Sequence, residues 1–473
     1  MSKINKIKHT REALLALIGG ATLLISGCTG SENEFNASQL AKPSTIASES
    51  ADNYDDNTYG LITAPTLKSW IDNWSANKPA GISGKLVILQ TGSGPGGFEY
   101  IAPDGSNIFT YEVASSEWVE TRDNGVVQTI SMVPSGYTMD AFMSKYDIDP
   151  LNDMIVCGMG TGGNSQAMRA GRCWYMFRYW GVAKQNLAVL NGGNGWIGAN
   201  TVLDGSYFSA TASTPSWAGR ATVKDLPENN FSLQATLQDM MEVVPATDTN
   251  ILDDGVFIWD ARSSGEYSPT GDGDFRNGAP VQGHPNGALL LPYSHILDST
   301  AGYTYKPKAE IAAYMTGAVD AGSNGFMDST VQAVGEGSAY QAGDVIYTYC
   351  ETTFRAMITG FATSSILGLP TRFYDGAMFE WHSLAAELND QGDLMMPINS
   401  PWRTDKTSWS MFTVHTTPVA ERTSTDAGYI TDAYAASANK IIQDDKTYKG
   451  ITSSTSTASS GGSGVSIPAN PCG

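Results

Sequence analysis

The sequence predicts an α/β protein made of one unit built twice, each copy a parallel sheet with helices on both faces. Two observations predict it. Short apolar strands rich in β-branched residues alternate with amphipathic helical stretches, and this alternation occurs twice in the same order. A chain of 473 residues with 41% hydrophobic and 10% aromatic residues also has the length and composition for more than one buried core. Strand–helix–strand order calls for a parallel sheet with right-handed crossovers, because the returning chain needs a helix to span the gap.

From the amino end, residues 1–27 read as an export signal. Lys3, Lys6, Lys8 and Arg11 make a basic region, and Ala13 to Ile25 a short apolar one, too short for a spanning helix. It ends in Ile25-Ser26-Gly27-Cys28, which resembles a bacterial lipobox. That resemblance implies cleavage before Cys28, lipidation of its thiol and, with Thr29 rather than Asp following, an outer-membrane lipoprotein with a periplasmic or cell-surface face. Residues 28–60 are polar and serve as a tether. The first copy, residues 61–230, carries "KLVILQTG", "DMIVCGMG", "SQAMRAGRCWYMFRYWGV" and "LAVLNGGNGW". The second, residues 231–395, carries "VFIWDARS", "DVIYTYCE", "FRAMITGFATSSILGLP" and "RFYDGAMFEW". Each reads strand, strand, loop, amphipathic helix, strand, glycine turn, tryptophan. Residues 396–473 form an extension that ends in a Ser/Thr/Gly tail.

A formal net charge of −20 excludes a nucleic-acid partner, which needs a basic face, and docking on an anionic bilayer by charge alone. The membrane is met through the lipid anchor only. There is no CxxCH, no P-loop, no dinucleotide loop and no HExxH, so no cofactor and no metal is expected. Besides Cys28 the cysteines are Cys157, Cys173, Cys350 and Cys472, too few for a disulfide scaffold. Cys157 lies inside a strand and Cys173 in the apolar helix "RCWYMF", both read as structural; Cys472 sits in the tail with its pairing open. The aromatic helix Trp174 to Trp180 is read as core rather than as a partner face.

Cys350 differs from the others. It follows the strand "VIYTY", and Arg355 closes a short loop before a helix. In an open α/β sheet ligands sit beyond the carboxyl ends of strands. A turn into a helix directs backbone N–H groups and dipole potential at one spot, which stabilises a thiolate and makes it nucleophilic. A persulfide on that sulfur would be held by the same N–H groups, with Arg355 as charge partner.

"FIWDARSSGEY", "QGHPNGALLLPY", "YTYCETTFR" and "RFYDGAMFEW" stand in that order and together resemble the rhodanese, or thiosulfate sulfurtransferase, family in its tandem form. The resemblance spans residues 61 to about 395. It implies two rhodanese-like domains, each a parallel five-stranded sheet with helices on both faces, the first inactive and the second catalytic. It implies that Cys350 accepts the sulfur. Glu351, Thr352, Thr353, Phe354 and Arg355 complete the substrate-binding loop, and Asp260, Arg262 and His284 support it. Asp375, Gly376 and Trp381 match a packing and turn motif. The short CxxxxR loop favours sulfur, or selenium, over the tetrahedral oxyanions taken by rhodanese-like phosphatases, whose loop is one residue longer. The implied activity is sulfane-sulfur transfer from a small anionic donor, through a persulfide, to a thiol or cyanide acceptor. Glu351 departs from the family's basic or small loop residues; a carboxylate there opposes thiolate formation and repels a dianion such as thiosulfate. The alternative is a rhodanese-like lipoprotein that acts as an assembly or scaffold factor for a protein partner at the outer membrane, an electron-transfer or metalloprotein complex.

Overall fold

Buried apolar strands dominate both halves of the computed structural model, which describes residues 60–125, 128–268, 283–385 and 438–451. Strands β1 (Leu61–Ile62), β2 (Leu86–Gln90), β3 (Ile108–Glu112), β4 (Met154–Gly158) and β5 (Leu187–Leu190) form one sheet in the order β1-β5-β4-β2-β3. Strands β6 (Gln234–Ala235), β7 (Val256–Asp260), β8 (Leu289–Leu290), β9 (Val345–Tyr349) and β10 (Thr371–Tyr374) form the other, in the order β6-β10-β9-β7-β8. Every pairing in both sheets is parallel. The two orders are the same permutation, so the repeat read from the sequence is a repeat of topology, and each sheet has five strands.

The apolar runs follow from where these strands lie. A parallel strand covered on both faces needs apolar residues at successive positions rather than alternating ones. All five residues of β2 and of β4 are buried. Odd residues Val87, Leu89, Ile155 and Val189 enter one core, whereas even residues Leu86, Ile88, Val156 and Leu190 enter a second. Helix α1 (Ala64–Asp72) covers the second face with Leu67 and Trp70.

Helices α2 (Gly136–Tyr146), α3 (Asn164–Trp180) and α4 (Ala356–Phe361) lie in the other core, which holds inward residues of both sheets, among them Val87 and Leu89 from the first and Phe257, Trp259 and Ile346 from the second. The equivalent helices α3 and α4 meet there. Gly171 makes the approach possible: a Cβ on it would stand 2.9 Å from the Met357 carbonyl oxygen. Trp174 meets Phe361 edge-on with ring centroids 5.2 Å apart. The aromatic helix is therefore core, and what it packs against includes the chain's own second half. A buried ion pair, Arg172 with Asp375, joins α3 to the end of β10. Helix α3 stops at Gly181, whose φ of 105° is left-handed and costs a glycine little. Beyond α4 the backbone opens into a π turn, Ala362–Ile366. Thr363 and Ser364 there donate to carbonyls one turn back, Thr359 and Gly360, a habit that bends helices.

Helix α5 (Ala377–Ala385) follows β10. Helix α6 (Lys440–Lys449) belongs to the extension. Asp445 anchors it, pairing with the buried Arg122 at 2.7 and 2.8 Å and accepting from the Tyr179 hydroxyl at 2.6 Å. Cys28, the expected signal and tether as far as residue 59, the insert "DGDFRNGAPVQ" and Cys472 lie outside the described residues. Among the described residues no helix is long and apolar enough to cross a membrane.

Candidate active site around Cys350

Strand β9 pairs with β7 from Val256↔Val345 to Asp260↔Tyr349, so Cys350 is the first residue past the carboxyl end of a central strand. Its side chain is 1% exposed and packs with Ala261, Ala356 and the half-buried Tyr293. It is the free cysteine among the described residues. Met159 holds the corresponding place after β4 in the first copy. Cys157, two residues earlier, forms a disulfide with Cys173 of α3, so the first copy offers no thiol at its loop position. The sequence places both cysteines in the core but carries no sign of their pairing.

The loop is held by its carbonyls. Those of Cys350 and Glu351 accept from Met378 N and Phe379 N, each at 3.0 Å, in the first turn of α5. Thr353 takes a left-handed φ of 64°, and its hydroxyl, fully buried, donates to the Asp375 carbonyl. The amide N–H groups of Thr352, Thr353, Phe354 and Arg355 donate to no protein acceptor among the described residues. Interior amides are rarely left unmade. A run of them in a tight turn beside a thiol is the arrangement that takes an anion.

The charges are arranged differently from the sequence expectation. Arg355 was expected to serve the sulfur as charge partner; the structure lays its planar fork on Glu266, with both N···O distances 2.7 Å. Glu266 also accepts from the Ser263 hydroxyl at 2.6 Å. Burial opposes the charge on Glu266, but Arg355 outweighs it and holds the carboxyl down at about 2. Arg355 remains within electrostatic reach of the thiol and of Tyr293. Burial pushes the Tyr293 phenol up, with the Arg355 charge opposing.

Asp260 and Arg262 are both fully buried and pair at 2.7 Å. Tyr349 adds a hydroxyl donor to Asp260 at 2.8 Å. Arg262 reaches Glu351 at 3.4 Å and so links the strand end to the loop. Here the expectation for Glu351 needs correction. Its carboxylate is buried and faces a guanidinium, so it acts as a support of the loop, and the repulsion expected at the sulfur is met by Arg262. The side chain of Thr353 is likewise turned inward, so these two residues can offer a ligand their backbone only. Thr352 and Phe354 stay half-buried, and Phe354 lies 6.0 Å from the Arg172 guanidinium. His284 is fully buried, stacked 3.6 Å from the Tyr267 ring with Nδ1 2.9 Å from the Tyr267 carbonyl oxygen and Nε2 3.3 Å from Asp248, the surroundings of a structural histidine. Asp375 and Trp381 are fully buried as well.

Glu266, Tyr293 and Arg172 are site residues that do not stand out in the sequence. Glu266 had a local signal: Ser263 and Glu266 form a capping box at the start of Ser264–Tyr267. Tyr293 and Arg172 carried no signal, because each acquires its role from a segment distant in sequence.

No family model matches this chain, and no curated protein does. Among solved structures, the Tum1 protein from Saccharomyces cerevisiae is 16% identical, over 68% of this chain and 95% of that one, at a TM-score of 0.46. SseA from Escherichia coli, described as a 3-mercaptopyruvate sulfotransferase of the rhodanese fold, is 13% identical over 68% and 99%, at 0.41. An anaerobic ergothioneine biosynthesis enzyme from Chlorobium limicola is 14% identical over 71% and 70%, at 0.45. Scores this low leave the chemistry to be argued from the residues themselves.

Proposed function

We propose that this protein is a rhodanese-type sulfurtransferase that carries sulfane sulfur on Cys350. The observation that carries the reading is the loop itself: a thiol at the end of a central parallel strand, free among the described residues, followed by four backbone N–H groups with no protein acceptor among them. The Cys350 thiolate attacks the outer sulfur of a donor such as thiosulfate. A new S–S bond forms as the old one breaks, and sulfite leaves with the electron pair. The persulfide anion then rests against the loop amides. A nucleophile such as cyanide attacks its terminal sulfur, forms thiocyanate and returns the thiolate. Such amides stabilise the anion at both stages without reorganising. The Cys157–Cys173 disulfide supports export, since such bonds persist in oxidising compartments.

Cyanide-dependent thiocyanate formation by purified protein, with Cys350→Ser as control, tests this reading. Activity that the substitution abolishes supports it, whereas activity left unchanged refutes it. The burial of Cys350 under Tyr293, and the commitment of Arg355 to Glu266, favour a second reading, an assembly or scaffold factor that keeps the fold without turnover. A folded protein that turns over none of several sulfane-sulfur donors would decide for it.

A further inference from the structure

At the amino ends of β4 and β5, the sheet edge opposite the carboxyl ends, lies a cavity of about 390 Å³. Its walls include Arg178, Lys184, Glu228, Leu151, Leu226 and Pro227. Arg178 is only 6% exposed. One of its nitrogens donates to the Val182 carbonyl just past the end of α3. Its other donors meet no protein acceptor, and no carboxylate comes within 4.0 Å of it, among the described residues.

A buried guanidinium without a counter-charge is costly. The carbonyls at the helix end recover part of that. Burial presses the Arg178 group down to about 10, with Glu228 opposing only in part. Lys184 on the same wall is exposed over much of its surface, yet the protein around its ammonium and the charge of Arg178 push it down to about 8. Two cations thus face one cavity in a chain whose net charge is −20, where general electrostatics would repel anions. Glu228 is the acidic group in the wall, and it forms no ion pair among the described residues.

We propose that this cavity binds the oxyanion group, phosphate or carboxylate, of a small solute between Arg178 and Lys184. The arginine fork matches two oxygens of either group, and the ammonium supplies a point charge at the rim. The site stands apart from Cys350 and does not depend on the sulfurtransferase reading.

The test titrates purified protein with inorganic phosphate and, separately, acetate, at ionic strength held constant with chloride. Thermal midpoint and calorimetric heat are read. One saturable site is expected, with the two probes showing which group it prefers. Arg178→Gln should weaken it about tenfold or more, the loss of a charge-assisted pair. Lys184→Gln should weaken it several-fold, and Glu228→Gln should strengthen it. If Arg178→Gln fails to fold, the other two variants decide. No saturable response above chloride from either probe, or affinity unmoved by Lys184→Gln and Glu228→Gln, overturns the proposal.

Discussion

Arg355 occupies a position from which it can either hold the loop or meet a ligand, and its two bonds to Glu266 say that it holds the loop. That pairing has a pH signature. The folded carboxyl of Glu266 sits near 2, against an ordinary value of 4.5. The folded state therefore prefers the ionised form, so its stability contribution is full above about 4.5 and is lost as pH falls towards 2. Lysine cannot reproduce the planar fork. Arg355→Lys should flatten this acid limb and lower turnover, measured as urea unfolding midpoints between pH 5 and 2 beside kcat/KM. An acid limb unchanged in the variant would mean that Glu266 is held by Ser263 and not by Arg355. At this scale the sequence was informative about Cys350, Asp260 and Arg262, whose spacing follows the strand ends. It misled on Glu351, because whether a loop carboxylate faces the sulfur or a buried arginine depends on where Arg262 arrives from a neighbouring strand.

The elements divide into those specified locally and those specified by distant partners. Strands β2, β4, β7 and β9 were legible as apolar runs, and the helix after Cys350 as a periodic one, because doubly covered strands and buried helices impose those patterns on the sequence itself. Helix α6 was not legible. It is polar on most of its surface, and its place depends on the Asp445–Arg122 pair across 323 residues of sequence. The Cys157–Cys173 disulfide depends in the same way on α3 lying over β4. The meeting of α3 with α4 supplies a prediction. A methyl group on Gly171 would enter the Met357 backbone, with atoms at 2.9–3.1 Å, and no flexible tip is there to give way. Gly171→Ala should destabilise by about 1–3 kcal/mol, the usual cost of overpacking, although alanine is the better helix former. Denaturant unfolding would show it; a stabilised variant would mean that the two helices can separate freely.

Over the whole molecule, the contact between the copies includes a titrating group. Glu380 of α5 is 2% exposed and accepts from Asn124 and Thr129 of the first half. Burial raises its carboxyl from the ordinary 4.5 to about 7, with those hydrogen bonds opposing. The folded state then binds a proton that the unfolded chain releases, so Glu380 costs stability progressively as pH rises from about 4.5 to 7. Glu380→Gln should remove that slope and stabilise the protein at pH 8 by up to about 3 kcal/mol, the size of such a shift; a variant less stable at pH 8 would mean that the ionised form is the better bound one. For its place in the cell, the lipobox-like Ile25-Ser26-Gly27-Cys28 motivates the proposal that the mature chain begins at a lipidated Cys28. Cys28→Ala should then move the protein from the membrane fraction to the soluble one, and equal retention would refute the anchor. The central claim, that Cys350 carries sulfur, is tested most directly by mass spectrometry of the intact protein and its peptides after exposure to a sulfane-sulfur donor. A gain of one sulfur atom on the Cys350 peptide is expected, absent in Cys350→Ser and removed by cyanide. Unchanged mass with every donor tried, or sulfur gained on another residue while Cys350 stays bare, would contradict it.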